Sequence, residues 1–338
     1  MKFIIAGLGS IGRRHLRNLV ALGQRDIVLY RTHQSTLPDA ALTDFPVENE
    51  LESALSQEPD AIIISNPTAL HLDVAIPAAR AGCHLLLEKP ISNTLERVEE
   101  LEEAVAEGGG QVLVGFQFRF HPGLLKAAEL LKEGVIGRPL SSRAVYGEYL
   151  PGMHPWEDYR ESYSARRDLG GGVILTLCHP LDYLRWLLGE VSELWAFVRR
   201  SNDFEIQVED TAEIGLQFQS GVLGSVNLNY NQRPQAHYLE IVGVDGTLRW
   251  DNDTGAVNII RIQDPANLVD RSDDWKIYGI PDNFERNDMF LAEMRHFLEV
   301  IRGKSEPACT LEDGRKNLEL ALAVHESGRN GRLIRFDH

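Results

Sequence analysis

The stretch Lys2-Phe3-Ile4-Ile5-Ala6-Gly7-Leu8-Gly9-Ser10-Ile11-Gly12 decides the fold of this chain. A short apolar run ends directly in the pattern GxGxxG. Residues 11–22 then repeat apolar side chains at helical spacing. A strand that enters a glycine turn and leaves it as a helix is the opening of a βαβ dinucleotide-binding unit.

Each glycine of this turn has a different physical task. Gly7 permits the tight turn, Gly9 lets a pyrophosphate approach the backbone, and Gly12 lets helix and strand pack closely. The helix that begins at Ser10 and Ile11 offers free N–H groups and a partial positive charge, which favour phosphate. The turn therefore predicts that these five residues bind a dinucleotide.

The pattern of alternating strands and helices continues to about residue 120. Buried strands are predicted at 26–30, 60–65, 84–87 and 111–116. A helix is predicted to begin near Asn93, with Asn93 and Glu96 as a capping box, and to stop at Gly108-Gly109-Gly110. This alternation predicts a parallel sheet covered on both faces. We expect residues 1–120 to form a Rossmann domain that binds NAD(P).

Residues 121–338 follow a different pattern, which predicts a second domain for substrate binding and oligomerisation. Strands are predicted at 141–150, 211–219, 222–230, 238–243 and 247–250, and helices at 124–133, 173–188, 288–302 and 311–328. Asp245-Gly246 marks a hairpin, and Thr310 is a good N-cap. The fold class is α/β followed by α+β, with an open, mostly antiparallel second sheet. The last helices pack on this domain or back on the first.

Composition and charge exclude several kinds of protein. The formal net charge of −16 repels phosphate backbones, so nucleic acid is not an expected partner. The sequence shows neither the roughly 20-residue apolar run of a membrane span nor a signal peptide. The three cysteines are far apart and form no disulfide pattern, which favours the cytoplasm.

The end of the second strand bears on the choice between NADP and NAD. An NAD-preferring site usually has an acidic residue here for the ribose hydroxyls. This chain reads Leu29-Tyr30-Arg31-Thr32-His33, without a carboxylate. Arg31 can pair with a 2′-phosphate through its planar fork, or it can be an exposed arginine that stacks on the adenine. We expect Arg31 and Thr32 to bind the cofactor, and NADP is favoured over NAD.

Three further stretches make the sequence resemble the Gfo/Idh/MocA family of oxidoreductases. They are Ser65-Asn66-Pro67-Thr68-Ala69-Leu70-His71; Ala81-Gly82-Cys83-His84-Leu85-Leu86-Leu87-Glu88-Lys89-Pro90, with the EKP signature; and Gly170-Gly171-Gly172 leading to His179 and Asp182. The resemblance covers essentially the whole chain. It implies that seven positions surround the nicotinamide and its ribose: Asn66, Pro67, His71, Glu88, Lys89, Gln117 and Arg119.

The same resemblance implies that His179 is the catalytic histidine, and its chemistry agrees. Hydride removal from a secondary alcohol needs a group that takes the hydroxyl proton, which histidine does near neutral pH. Lys89 can donate a hydrogen bond to the substrate oxygen and lower its pKa. Many relatives have an aspartate three or four residues before the histidine, where this chain has Thr176. Either Asp182 supplies that carboxylate, or proton transfer depends on Lys89, or turnover is slow.

The segment 154–166 is dense in polar and aromatic residues and is expected to form a loop over the substrate. Trp156 or Tyr159 can stack on a sugar ring, while Arg160 and Tyr163 can bind hydroxyls or a carboxylate. The alternative is a packed surface loop. With Lys89 and His179, these residues complete the predicted substrate contacts. The histidines and acidic residues here match no standard zinc spacing, so no metal is expected.

The leading hypothesis is an NAD(P)-dependent oxidoreductase acting on a secondary hydroxyl or ketone of a sugar, a cyclitol or a derivative. Two alternatives remain: a glycoside hydrolase that uses bound NAD for transient oxidation, and a non-catalytic regulatory protein that senses dinucleotide. The partner is a small sugar-like molecule. The second sheet is expected to mediate a homodimer or homotetramer, because one of its faces would otherwise be exposed.

Overall fold

The computed structural model describes residues 1–32, 42–201, 203–261 and 275–336. The chain folds into two compact units, and each consists of several segments. The first comprises Met1–Gln117, Arg167–Gly171 and Arg286–Glu319; the second comprises Phe118–Arg166, Gly172–Glu285 and Leu320–His338. The segment that begins at Arg286 therefore returns to the first unit.

The helices and strands of the described residues are numbered in chain order. The strands are β1 (Phe3–Ala6), β2 (Ile27–Tyr30), β3 (Val47–Glu48), β4 (Ala61–Ile64), β5 (His84–Glu88), β6 (Val112–Gly115), β7 (Pro139–Tyr149), β8 (Val191–Arg199), β9 (Thr211–Phe218), β10 (Leu223–Asn229), β11 (Asn231–Gly243), β12 (Gly246–Asp251), β13 (Val257–Arg261), β14 (Lys276–Tyr278) and β15 (Ile334–Arg335). The helices are α1 (Ser10–Ala21), α2 (Leu51–Leu55), α3 (His71–Arg80), α4 (Val98–Gly108), α5 (Pro122–Lys132), α6 (Leu150–Met153), α7 (Val173–Thr176), α8 (His179–Leu188), α9 (Arg286–Val300) and α10 (Leu311–Asn330).

The first unit is built on a six-stranded parallel sheet in the order β3-β2-β1-β4-β5-β6. Every residue of β1 and β4 is buried, as expected for central strands covered by helices on both faces. The predicted Rossmann-type domain is confirmed. The strand order reverses between β1 and β4, and ligands of such folds bind where the order reverses, at the carboxyl ends of the strands.

The second unit contains a nine-stranded sheet in the order β14-β13-β12-β11-β7-β10-β9-β8-β15. β7 and β10 are parallel and the other neighbours are antiparallel, which confirms the predicted mostly antiparallel sheet. One face is apolar and buried, with residues such as Ala144, Leu216 and Val226. The residues that alternate with them, such as Leu223 and Phe197, are exposed. The two faces thus differ as period-2 alternation requires.

The predicted helix start at Asn93 is wrong, because α4 begins five residues later at Val98. The Thr94 N–H lies 3.4 Å from the Ser92 hydroxyl oxygen, a local bond that competes with helical pairing. Arg97 has a φ of 64°, in the left-handed region, so a regular helix cannot pass through it. The predicted stop is confirmed, since α4 ends at Gly108.

The helix predicted over 173–188 is in fact two helices, α7 and α8, separated at Leu177 and Cys178. Pro180, in the first turn of α8, has no N–H to donate into a continuous helix. Thr310 is confirmed as an N-cap, because its hydroxyl accepts the Asp313 N–H at 3.1 Å. In the part of the chain that the structure describes, no helix combines the length and apolarity that crossing a bilayer requires.

Candidate active site

The glycine turn after β1 contains two glycines that the surrounding protein requires and one that it does not. A Cβ on Gly7 would lie 2.3 Å from the Asn66 nitrogen, and the φ of Gly7 is +88°. A Cβ on Gly12 would lie 1.9 Å from the Gly7 oxygen. A Cβ on Gly9 would meet nothing within 4 Å. The space above Gly9 is therefore open, beside the N-terminus of α1, where backbone N–H groups favour an anion.

The residues predicted to bind the cofactor lie along one edge of the first sheet. Parallel strands place their carboxyl ends together, and the predicted residues follow the ends of five strands. These are Gly7 after β1, Arg31 and Thr32 after β2, Asn66 and Pro67 after β4, Lys89 after β5, and Gln117 after β6. The structure thus brings the sequence-predicted residues of the first unit to the edge that binds ligands in this kind of fold.

Arg31 and Thr32 follow β2 and are the last residues that the structure describes before residue 42. The Arg31 side chain is buried, and its backbone N–H donates to the Glu48 oxygen at 3.0 Å. Thr32 is exposed. His33, which completes the quoted motif, lies outside the described residues. Arg31 is therefore held at the edge of the sheet by β3.

The His71 side chain contacts two of the loops at this edge. Its Nε2 lies 2.9 Å from the Asn66 oxygen and its Nδ1 lies 3.0 Å from the Pro90 oxygen. The ring is buried, and burial lowers the pKa of His71, opposed by the hydrogen bond to Asn66 and the charge of Glu88. The Asn66 side-chain amide donates to the Leu70 oxygen at 2.9 Å. His71 therefore joins the loop after β4 to the EKP turn after β5.

Glu88 and Lys89 differ in exposure, although they are neighbours in the EKP turn. Glu88 is buried, and its Oε1 lies 2.8 Å from His15 Nε2 of α1. Its Oε2 accepts the Lys89 backbone N–H at 3.3 Å. Lys89 is half-buried at the carboxyl edge of the sheet. Glu88 thus faces the interior and fixes the backbone from which the Lys89 side chain extends.

Two residues next to Glu88 were missed by the sequence prediction. His15 on α1 is buried and bonds Glu88, and Glu293 on α9 lies beside both of them. A helical pattern in the sequence could have identified each of them as a buried polar residue. His15 shares the inward face of α1 with Gly12 and Leu19. Glu293 lies on the apolar stripe of α9, among Phe290, Met294 and Phe297.

In the second unit, Arg119 and Asp182 form a buried, bidentate ion pair. Arg119 Nη2 lies 2.7 Å from Asp182 Oδ1, and Arg119 Nε lies 3.0 Å from Oδ2. The exposed fractions of the two side chains are 5% and 1%. The guanidinium fork thus engages both carboxylate oxygens, so Asp182 fixes α8 to the segment that follows β6.

His179 is the first residue of α8 and lies in an aromatic cluster of the second unit. The Phe118 ring contacts the His179 ring edge-on, with centroids 4.8 Å apart, and it contacts His237 in the same way at 4.7 Å. Tyr146 stacks on His237 at 4.0 Å. Sequence reasoning missed Tyr146 and His237, because they lie on β7 and β11, far from His179 in the chain.

Thr176, which stands where many relatives have an aspartate, is the last residue of α7 and is buried. Its neighbour is Tyr230, whose hydroxyl donates to the Ser164 oxygen at 3.2 Å. Burial raises the pKa of Tyr230, and the Thr176 side chain opposes this. Both groups are neutral, and the nearby charges of Glu209 and Glu148 also raise the pKa of Tyr230.

The segment 154–166 is irregular, as predicted, apart from a short 3₁₀ helix at Tyr163–Ala165. Trp156 is 52% exposed, and Tyr163 is half-buried. Arg160 is exposed and pairs with Asp158 at 2.8 Å and with Glu205 at 2.6 Å. These two carboxylates hold the guanidinium, so a substrate group that binds Arg160 must share it with them.

Comparisons with known proteins agree with this geometry. Residues 1–116 match the model of an oxidoreductase family with an NAD-binding Rossmann fold, and residues 124–249 match the Gfo/Idh/MocA C-terminal domain. Scyllo-inositol 2-dehydrogenase (NAD(+)) of Bacillus subtilis (strain 168) is 29% identical over 345 residues, covering 98% of this chain and 95% of that protein. 1,5-Anhydro-D-fructose reductase of Ensifer adhaerens is 28% identical over 281 residues, covering 82% and 80%.

A solved structure shows the same fold at low identity. Levoglucosan dehydrogenase in complex with NADH and levoglucosan superposes with a TM-score of 0.87 at 20% identity, and the match covers 100% of each chain. The family models together span both units and well over half of the chain. The chain belongs to the Gfo/Idh/MocA family of oxidoreductases, as the sequence resemblance predicted.

Proposed function

We propose that this member of the family is an NAD(P)-dependent oxidoreductase that moves hydride between nicotinamide and a secondary alcohol or ketone of a sugar, a cyclitol or a derivative. The observation that supports this most is the open space above Gly9. The packing of the protein explains Gly7 and Gly12 but not Gly9. A close approach of a ligand explains it, and a pyrophosphate at the N-terminus of α1 is such a ligand.

Lys89 and His179 handle the substrate proton in this proposal. A bound nicotinamide would accept the hydride as the substrate C–H bond breaks, while the O–H proton leaves and a C=O bond forms. Lys89 donates a hydrogen bond to the substrate oxygen and stabilises its developing negative charge. His179 takes the proton. Asp182, held by Arg119, is a positioning residue for α8 and thereby for His179.

NADP is the cofactor that we favour. Arg31 follows β2 at the position where an NAD site usually has a carboxylate, and a guanidinium there matches a 2′-phosphate. Thr32, which is exposed, adds a hydroxyl donor. Asn66, Pro67 and Gln117 follow the ends of β4 and β6 and would contact the nicotinamide half.

For the substrate, we propose a polyol whose ring stacks on Trp156, with Arg160 and Tyr163 binding its hydroxyls. Two relatives named for an inositol and an anhydro sugar support a cyclitol or an anhydro sugar as the first compounds to test. Residues 1–120 would then form the cofactor domain and residues 121–338 the substrate domain, with residues 286–319 packing back on the first unit. Three buried free thiols, Cys83, Cys178 and Cys309, support a reducing, cytoplasmic location.

We also propose that the exposed face of the second sheet joins protomers into a homodimer or homotetramer. Phe197 on β8 and Leu223 on β10 are on this face, with exposed fractions of 67% and 57%. Large apolar side chains spread over one sheet face favour a protein partner. A second copy of the chain would bury both.

Turnover by matched lysine variants tests the proposed chemistry. The assay follows the absorbance of reduced nicotinamide with a panel of cyclitols and anhydro sugars, and with their ketones in reverse. Lys89→Met should lower kcat by about 10²–10⁴-fold, the usual contribution of a positioned proton-transfer group, while cofactor affinity stays within a few fold. The exposed Lys304→Met is the control and should match the wild type. Wild-type turnover by Lys89→Met would refute the role of Lys89.

A further inference from the structure

Three titratable side chains meet in the interior of the first unit, behind the EKP turn. His15 is on α1, Glu88 ends β5, and Glu293 is in the middle of α9. The exposed fractions of His15 and Glu293 are both 0%, and Glu88 is buried. One ligand-type atom from each residue lies within 4.8 Å of the others. We refer to these three residues as the His15–Glu88–Glu293 cluster.

The hydrogen bonds of the cluster leave Glu293 without a donor. His15 Nε2 and Glu88 Oε1 are 2.8 Å apart, and Glu88 Oε2 accepts the Lys89 N–H. Neither carboxylate oxygen of Glu293 has a hydrogen-bond partner among the described residues. Burying an ionised carboxylate without a donor or a cation is strongly unfavourable.

The charges that face the cluster do not neutralise Glu293. From α1, the Arg14 guanidinium lies over the Phe290 ring, 4.7 Å from its centroid, and one of its nitrogens lies 3.2 Å from Asn287 Oδ1. Burial, followed by the charges of Arg286 and Arg17, lowers the pKa of Arg14, and the charge of Glu88 opposes this. From the start of α3, His71 is buried, and its two ring nitrogens lie 3.0 and 2.9 Å from the Pro90 and Asn66 carbonyl oxygens. The acidic neighbour of Glu293 is Glu88, which carries the same charge.

We propose that Glu293 is an uncharged carboxylic acid in the folded protein and that the His15–Glu88–Glu293 cluster is a buried proton-binding site that supports the EKP turn. With its proton in place, Glu293 adds no second negative charge beside Glu88. Burial, followed by the negative charge of Glu88, raises the pKa of Glu293 well above its ordinary range, in agreement with the geometry.

The cluster also affects the position of Lys89, and the importance of that position rests on the proposed function. Glu88 bonds His15 with one oxygen and the Lys89 backbone with the other, so the cluster determines where the Lys89 side chain begins. Ionisation of Glu293 would place two carboxylates of like charge side by side and displace Glu88. Glu293 is thus a positioning residue for Lys89.

The pH dependence of stability follows from linkage. A carboxyl group whose pKa is raised by folding stabilises the folded state fully below its unfolded pKa. That stability is lost as the pH rises towards the folded pKa. In this window, each pH unit lowers the folding equilibrium constant of the wild type tenfold relative to a variant that cannot ionise. Glu293→Gln is such a variant, because the amide has the shape of the protonated acid.

The test compares wild type, Glu293→Gln and the control Glu103→Gln, which alters an exposed glutamate on α4. Urea unfolding is measured without cofactor at each pH unit from 4 to 9. We expect the folding equilibrium constants of wild type and Glu103→Gln to fall relative to that of Glu293→Gln. The fall should be about tenfold per pH unit above the unfolded pKa of a glutamate. Parallel curves for all three proteins would overturn the proposal.

A second measurement needs no variant and covers failure of Glu293→Gln to fold. Carbon NMR of wild type labelled at the glutamate carboxyl carbons should show one resonance that keeps the protonated shift at neutral pH. Loss of this shift in every glutamate would overturn the proposal. So would a rise in Tm with Mn²⁺ or Zn²⁺ that Glu103→Gln keeps and Glu293→Gln loses, since the cluster would then hold a cation. These readouts do not involve nicotinamide, so they fail independently of the proposed function.

Discussion

Replacing single glycines of the first turn separates the needs of the fold from those of the ligand. In Gly12→Ala, the new methyl would lie 1.9 Å from the Gly7 oxygen and 2.6 Å from Ser65 Oγ. In Gly9→Ala, it would meet nothing within 4 Å, and the φ of −70° suits any residue. The two variants add the same group three residues apart, so each is the control of the other.

The expected sizes follow from these distances. Overpacking of this kind costs about 1–3 kcal/mol, which corresponds to roughly 2–4 °C in Tm per kcal/mol for a unit of this size. The Tm of Gly12→Ala should therefore be several degrees below that of the wild type. Gly9→Ala should change stability by less than about 1 kcal/mol, because alanine is the poorer N-cap but also lowers the conformational entropy of the unfolded chain. If its methyl displaces one charged hydrogen bond to a pyrophosphate, worth about 1.5–3 kcal/mol, affinity should fall about ten- to a hundredfold.

The assay combines thermal unfolding without cofactor and fluorescence titration with NADPH and NADH. The reasoning is supported if Gly9→Ala keeps the wild-type Tm and loses affinity. It is refuted if Gly9→Ala binds as tightly as the wild type, because no ligand would then pass over Gly9. A large loss of Tm in Gly9→Ala would show instead that the fold itself requires this glycine.

Two further predictions concern the second unit. Asp182→Asn should lower the free energy of unfolding by about 3–5 kcal/mol, since it leaves the buried Arg119 charge unpaired. Urea unfolding measures this change. The double variant Arg119→Met/Asp182→Leu should lose less free energy of unfolding than Asp182→Asn. Leu223→Glu should convert the proposed oligomer to monomer in analytical ultracentrifugation without lowering Tm by more than a few degrees. The control Lys132→Glu, on α5, should leave the oligomer intact. An unchanged sedimentation coefficient for Leu223→Glu would exclude this face of the second sheet as the interface.

Local patterns were sufficient for the architecture of both units. The GxGxxG turn, the alternating strands of the first sheet and the Asp245-Gly246 hairpin are confirmed by β1 to β6 and by β11 and β12. Each of these signals depends on neighbours within a few residues. Where a local pattern and a tertiary contact compete, the prediction fails. Asn93 has a good capping sequence, but the chain turns through Arg97 before α4 begins.

The contacts of the site residues were harder to predict, because they join distant segments. The sequence offered Asp182 as the carboxylate that serves His179, yet the Asp182 carboxylate pairs with Arg119, which lies 63 residues away in the sequence. Glu88 was assigned to the cofactor from the EKP signature, but its carboxylate bonds His15, 73 residues away. Only the packed structure brings Glu293 to the same place.

Binding of the two nicotinamide cofactors tests the central claim most directly. The purified protein is titrated with NADPH and with NADH, and nicotinamide fluorescence is followed. We expect saturable binding at one site per protomer, at least about tenfold tighter for NADPH, with Arg31→Asp reversing this order. Equal or tighter binding of NADH would contradict only the role of Arg31. No saturable binding of either, with no nucleotide released when the protein is denatured, would contradict the proposed function itself.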